Sequence, residues 1–269
     1  MSILDNIYNF YQNLENYADP RAKDFPLLGS VWPTIGLLAV YMYFVQNVGP
    51  KWMKNRKAFE LKTVILVYDA IQVILNFLAA MLGAYSFIAL YNTFNIRCAM
   101  PSLSDDSMRG YIELRLSYFY FLLKIVDLMD TVFFVLRKNF RLITFLHVYH
   151  HAVMVFISYF YCKYYPGGHS AMIGLVNLWI HVMMYGYYFV AALKPEVRNS
   201  LWWKKYITLF QMGQFVFLIC FMSLPFFEEN CNYSKTILVF NIIQSVVMLI
   251  LFSNFYIRSY ILRKKPKTT

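Results

Sequence analysis

Residues Leu142 to Cys162 read LITFLHVYHHAVMVFISYFYC, a run that otherwise looks like lipid-buried sequence yet holds three of the chain's five histidines, His147, His150 and His151. On a helix the offsets i, i+3 and i+4 share one face, so the three imidazoles can point to one side of the segment. Ionisable groups at membrane depth are costly and face a bundle interior or a cavity, which makes the cluster a functional-site candidate. The alternative is a polar contact between helices, or rings placed in the headgroup layer.

The rest of the chain supports a membrane setting. Its 269 residues are 59% hydrophobic and 20% aromatic with 14% charged, and the mean hydropathy is +0.46; this is the composition of a polytopic membrane protein, not a soluble domain. The net charge of +11 does not require nucleic acid, because basic membrane proteins carry Lys and Arg in their cytoplasmic loops. Four cysteines are too few and too scattered for a metal framework. No cleavable signal peptide is evident in the polar, slightly acidic residues 1–29.

Working outward, apolar runs long enough to cross a bilayer core fall at about Ser30–Val48, Thr63–Tyr91, Glu113–Leu136, Leu142–Cys162, Ser170–Leu193, Tyr206–Leu224 and Lys235–Tyr256. The expectation is an all-α membrane protein of seven transmembrane helices, one polytopic domain over residues 1–269 with tails at 1–29 and 257–269. Bases cluster after the first span (Lys51, Lys54, Arg56, Lys57, Lys62), the third (Arg137, Lys138, Arg141) and the fifth (Lys194, Arg198, Lys204, Lys205), and in the C-terminal tail. The alternate loops hold Asp105, Asp106, Glu228 and Glu229, so the N-terminus is expected outside or in a lumen and the C-terminus in the cytosol.

Cys98 and Cys231 then fall in non-cytosolic loops, where an oxidising lumen permits a disulfide; two free thiols are the alternative. Asn232, Tyr233 and Ser234 form a glycosylation sequon on the same side. Lys265 and Lys267, near the end of the chain, resemble the dilysine-type retrieval signal of endoplasmic-reticulum membrane proteins, or serve as a basic tail on anionic lipid.

Polar residues on four spans reach overlapping depths. The three histidines lie one to two turns from the cytosolic start of the fourth span, and Lys124, Asp127, Asp130 and Thr131 lie within about three turns of the cytosolic end of the third. The fifth span carries Asn177, His181, Met184, Tyr185 and Tyr188 at helical spacing, and the sixth carries Thr208, Gln211 and Gln214. A histidine cluster with carboxylates first suggests iron or zinc. Membrane di-iron enzymes, however, use about eight imidazoles, and four are available within the membrane here, His169 lying in a lumenal turn. His150 and His151 diverge by about 100 degrees on a helix, which disfavours a three-histidine zinc face. Without a metal, a neutral imidazole serves as general base or nucleophile.

The series Lys124-Ile-Val-Asp127-Leu-Met-Asp130-Thr131, then His147-Val-Tyr-His150-His151, then Asn177, His181, Met184, Tyr185, Tyr187 and Tyr188, then Thr208, Gln211 and Gln214 resembles, in order and spacing, the ELO family of very-long-chain fatty-acid elongases. One departure is Asp127, where the family usually has glutamate.

The resemblance implies 3-oxoacyl-CoA synthase activity: a long-chain acyl-CoA condenses with malonyl-CoA, releasing carbon dioxide and CoA. It implies no cofactor and no resident metal. On it, His150 is the expected nucleophile forming an acyl-imidazole, with His147 and His151 positioning or deprotonating and His181 stabilising or relaying protons; the alternative is direct attack in a ternary complex with a histidine as base only. Asp130 and Asp127 would orient an imidazole, and Lys124 would neutralise them or stabilise an enolate. Asn177, Tyr185, Tyr188, Gln211 and Gln214 would line the site, and Arg137, Lys138, Lys204 and Lys205 would meet the CoA phosphates. Helices two to seven would enclose an acyl tunnel with helix one peripheral, in the endoplasmic-reticulum membrane, partnered by the other enzymes of the elongation cycle, with homodimerisation left open. The alternative function is a metal-dependent membrane lipid oxidase or hydroxylase.

Overall fold

The computed structural model describes residues 15–89, 95–194, 196–197 and 200–262, which form helices joined by turns with no strand among them. The first helical stretch starts as α1 (Trp32–Tyr43), where Pro33 fits because first-turn N–H groups need no partner. It passes through a π turn at Phe44–Val48 into α2 (Gly49–Met53). The expected stop near Val48 is overrun: Pro50 removes one backbone donor, and the wide turn before it accommodates that loss. Gly49 is needed there, since a Cβ would stand 2.6 Å from Val135 Cγ1.

The helices that follow are α3 (Lys62–Ala89), α4 (Met108–Asp127), α5 (Met129–Leu136), α6 (Phe145–Tyr164), α7 (Ala171–Leu193), α8 (Leu201–Ser223) and α9 (Lys235–Tyr256). α4 begins five residues before the expected Glu113 because Ser107 caps it, its Oγ accepting from Gly110 N at 3.2 Å. α8 likewise begins at Leu201, ahead of the expected Tyr206. Four stretches, Lys62–Ile88, Ala171–Leu193, Leu201–Phe227 and Lys235–Ile261, are long and apolar enough to cross a membrane. In α4 the hydropathy is interrupted by Arg109, Glu113, Arg115, Lys124 and Asp127, and in α6 by the histidines and tyrosines.

Helix neighbours follow a closed order: α3 packs on α7, α7 on α8, α8 on α9, α9 on α6, α6 on α4 and α4 on α3. α1 lies against α6 outside this circuit, yet Leu38, Tyr41, Val45 and Met53 join Phe121, Leu128, Val135, Val148 and Val155 in one buried cluster. A second cluster (Met172, Leu218, Phe221, Met222, Leu238) ties α7, α8 and α9 together, and a third (Ala79, Ala80, Leu123, Leu178) ties α3, α4 and α7.

The two ends of the circuit differ. Thr144 starts α6, its Oγ1 accepting from His147 N at 3.3 Å, so the histidines occupy the first two turns. At the far end Gly167 and Gly168 turn α6 into α7 with φ of 73° and 62°, a region glycine enters freely. A Cβ on Gly168 would meet the backbone of Ala99, Met100 and Pro101 at 2.7–2.9 Å. His169 N donates to Ala99 O at 2.8 Å and Ser102 N to Pro166 O at 3.1 Å. Cys98 and Cys231 are joined by a disulfide with Cα atoms 5.7 Å apart. At the same end the buried Asp19 receives Arg21 Nε at 2.9 Å and Nη2 at 2.6 Å, while Nη2 also reaches Ser102 O at 2.6 Å. Burial works to raise the Asp19 pKa, but the Arg21 hydrogen bonds and charge prevail and hold it below the ordinary carboxylate value.

Candidate functional site

α4 places Lys124 and Asp127 three residues apart on its inward face, both buried, with Nζ 2.7 Å from Oδ2. A charge pair enclosed this way persists only when its remaining hydrogen-bonding capacity is filled. His181 of α7 supplies part of that, its Nδ1 standing 3.4 Å from Lys124 Nζ and 3.4 Å from Asp127 Oδ2. Nδ1 either accepts from Lys124 or donates to Asp127, and the two arrangements are two tautomers of one ring. Asp127 Oδ1 accepts from Gln72 Nε2 at 2.5 Å and lies 3.1 Å from Tyr185 OH. Tyr185 OH is closer to Asp130 Oδ2, at 2.8 Å, so this one phenol links both carboxylates.

Among the described residues, Asp130 Oδ2 accepts from the Tyr185 hydroxyl. His147 Nε2 pairs with Thr131 Oγ1 at 2.9 Å, and Thr131 pairs with Tyr41 OH at 2.7 Å. His147 also packs on His151, with ring centroids 4.3 Å apart. His150 diverges from them, its ring 5.6 Å from His151 and edge-on to Phe252 of α9 at 6.2 Å. Its Nδ1 is buried with no hydrogen-bond partner among the described residues, and so is Gln214 Oε1 on α8. Buried polar atoms are almost always paired in native proteins, so orphans facing a shared interior mark where a ligand group or water belongs.

Asn177, buried on α7, accepts from Tyr120 OH at 2.9 Å, and the Tyr120 ring lies 5.0 Å from Lys124 Nζ. Gln211 Nε2 reaches Met184 Sδ at 3.7 Å. Tyr188 packs edge-on to Tyr185 and is 41% exposed. Of the basic residues, Arg137 and Lys205 are exposed, while Lys138 Nζ donates to the carbonyls of Lys54 at 3.2 Å and Arg56 at 2.8 Å, outside the buried network. Lys204 stands on the first turn of α8, where its carbonyl accepts from Thr208. Lys265 and Lys267 lie outside the described residues.

The sequence reading passed over α3. Tyr68, Asp69, Gln72 and Asn76 line one face of it, the last three buried; Gln72 supports Asp127, and Tyr68 OH lies 3.4 Å from Tyr185 OH. Their spacing of three to four residues within an apolar run was the available signal. Tyr41 of α1 was also missed. Among the described residues, no three His, Cys, Asp or Glu side chains converge as metal ligands. The arrangement instead offers imidazoles, a buried cation and two carboxylates bridged by a phenol, the elements of acid–base and nucleophilic chemistry.

The sequence profile of the ELO (GNS1/SUR4) family matches residues 26–268. The chain is 39% identical over 267 residues to very long chain fatty acid elongase 7 of Drosophila melanogaster, covering 98% of this chain and 79% of that protein. It is 36% identical over 260 residues to very long chain fatty acid elongase 1 of Mus musculus, covering 96% and 91%. With very long chain fatty acid elongase 4 of Homo sapiens it shares 36% identity over 268 residues, covering 98% and 82%.

Proposed function

The chain belongs to the ELO (GNS1/SUR4) family, and from that premise we propose that it is the condensing enzyme of fatty-acid elongation, a 3-oxoacyl-CoA synthase joining a long-chain acyl-CoA to malonyl-CoA. It works as a multi-pass protein of the endoplasmic-reticulum membrane, with seven spans formed by α1–α2, α3, α4–α5, α6, α7, α8 and α9. The N-terminus is lumenal and the C-terminus cytosolic. The α3, α4, α6, α7, α8 and α9 circuit encloses the acyl chain, and the histidine end of α6 faces the cytosol.

The observation that carries the catalytic assignment is the unpartnered Nδ1 of His150. One nitrogen of His147 is engaged by Thr131 and one of His181 by Lys124 and Asp127, whereas the buried Nδ1 of His150 has no partner among the described residues. In the first half-reaction a neutral His150 attacks the thioester carbonyl, the C–S bond breaks, and CoA leaves as thiolate and takes up a proton. In the second, the carboxylate carbon–carbon bond of malonyl-CoA breaks, carbon dioxide departs, and the electron pair remains on the α-carbon as an enolate. That carbon attacks the acyl-imidazole, the C–N bond breaks, and the departing nitrogen takes up a proton from solvent, restoring the imidazole with 3-oxoacyl-CoA as product. Lys124, held by Asp127, stabilises the enolate oxygen, and His181 passes a proton between its two tautomers. Arg137, Lys138, Lys204 and Lys205 bind the CoA phosphates.

The test uses purified protein with a panel of long-chain acyl-CoAs and radiolabelled malonyl-CoA. Labelled 3-oxoacyl-CoA is the expected product, and folded protein that gives none overturns the assignment. His150→Ala is expected to release no CoA from acyl-CoA alone; release at the wild-type rate would remove His150 as the nucleophile.

A further inference from the structure

A cavity lies between α3, α4, α6, α7 and the Pro166–Ser170 turn. At its inner end stand Leu178 and Tyr120, the latter bonded to Asn177 and packed on Lys124. Most of its wall is apolar, as an alkyl chain requires. Its outer end is not. Glu113 lies there beside Gly167 and Gly168, eleven residues before Lys124 on α4 and so about 16 Å along the helix axis.

Glu113 is 9% exposed. Its Oε1 accepts from Arg109 Nε at 2.9 Å, but Oε2 is buried and has no hydrogen-bond partner among the described residues. Gly167 leaves the room Oε2 occupies, since a Cβ there would stand 1.9 Å from it. Ser117, one turn further along α4, lines the same cavity. A closed apolar sac for a plain alkyl terminus needs no carboxylate, and an unsatisfied buried acceptor is destabilising.

Building on the proposed elongase activity, we propose that the outer end of this cavity recognises the terminus of an ω-hydroxylated acyl chain, with Glu113 Oε2 accepting the hydrogen bond. Glu113 is then a specificity-determining residue far from the reacting carbon. Ser117 makes the same end tolerant of a hydroxyl.

The experiment compares a length series of ω-hydroxy acyl-CoAs with their unsubstituted counterparts, by direct binding of radiolabelled ligand and by elongation, in the wild type, Glu113→Leu and Glu113→Gln. At the length that reaches the floor, the wild type is expected to bind the ω-hydroxy ligand at least as tightly as the unsubstituted one. Glu113→Leu is expected to lower that ratio by about tenfold or more, and Glu113→Gln, which keeps an acceptor oxygen, to preserve most of it. A wild type that disfavours the hydroxyl at every length, or a ratio unchanged in Glu113→Leu, overturns the proposal. If Glu113→Leu does not fold, the wild-type ratio decides alone. Binding decides the proposal and turnover decides the elongase assignment, so the two fail separately.

Discussion

Asp127 receives Lys124, Gln72 and Tyr185 at once, and removing one partner of such a buried pair leaves the other as an uncompensated charge. Lys124→Met and Asp127→Leu are each expected to cost about 3–5 kcal/mol. The double variant is expected to lose less than the sum of the two, because no charge is then stranded. Denaturation in detergent measures all four corners of the cycle, and strict additivity would show that the two residues do not act as a pair. The singles and the double are all expected to lose condensation, since the enolate loses its cation in two of them and the cation its anchor in the third. How the site was read depends on contact range. The histidines stood out because three imidazoles in an apolar run are rare, and Lys124 and Asp127 because they sit on one helix face. Gln72 meets Asp127 across 55 positions of chain, and although Asp69, Gln72 and Asn76 mark a polar face in an apolar run, nothing local names the partner of that amide.

Helix starts set where those side chains point. Thr144 and Ser107 each satisfy an N-terminal amide, of His147 and Gly110 respectively. Replacing either by alanine is expected to cost about 1 kcal/mol. The consequences diverge: Thr144→Ala loosens the turn that carries His147 and His150 and is expected to lower kcat, whereas Ser107→Ala is expected to shift the melting temperature with turnover unchanged. Equal kinetic losses in both would show that stability alone controls the rate. The bounds of α9, Lys235–Tyr256, were legible to the residue, whereas α8 began five residues ahead of its expected start. The start of α4 was not legible either, because Arg109, Glu113 and Arg115 lower the hydropathy of its first turns, and there the serine cap was the better guide. The helical stretch from α1 through α2 outran its expected end because proline interrupts hydrogen bonding without ending the helix.

At the scale of the whole molecule, segments at the far end of the circuit are tied together by contacts distant in sequence. Asp19 and Arg21 bind the loop at Ser102, and the Asp19 carboxyl titrates below its ordinary value of 3.8 in the fold, burial being outweighed by Arg21. The unfolded chain therefore takes up this proton first as pH falls. The stabilisation is full above the unfolded value and is lost as pH drops through the folded one. Melting curves between neutral and strongly acid pH are expected to show Asp19→Asn less stable at neutral pH, with the gap to wild type narrowing in acid; a gap that stays constant would mean the carboxyl is not coupled to folding. The loop held this way continues through Ala99 to the disulfide of Cys98 with Cys231. On the elongase reading proposed above, a vessel bolted at its base has a single mouth. A lengthened chain is then expected to leave by the route it entered, tail last, with each added pair of methylenes slowing the withdrawal, so that the time the tail takes to slide free meters the product.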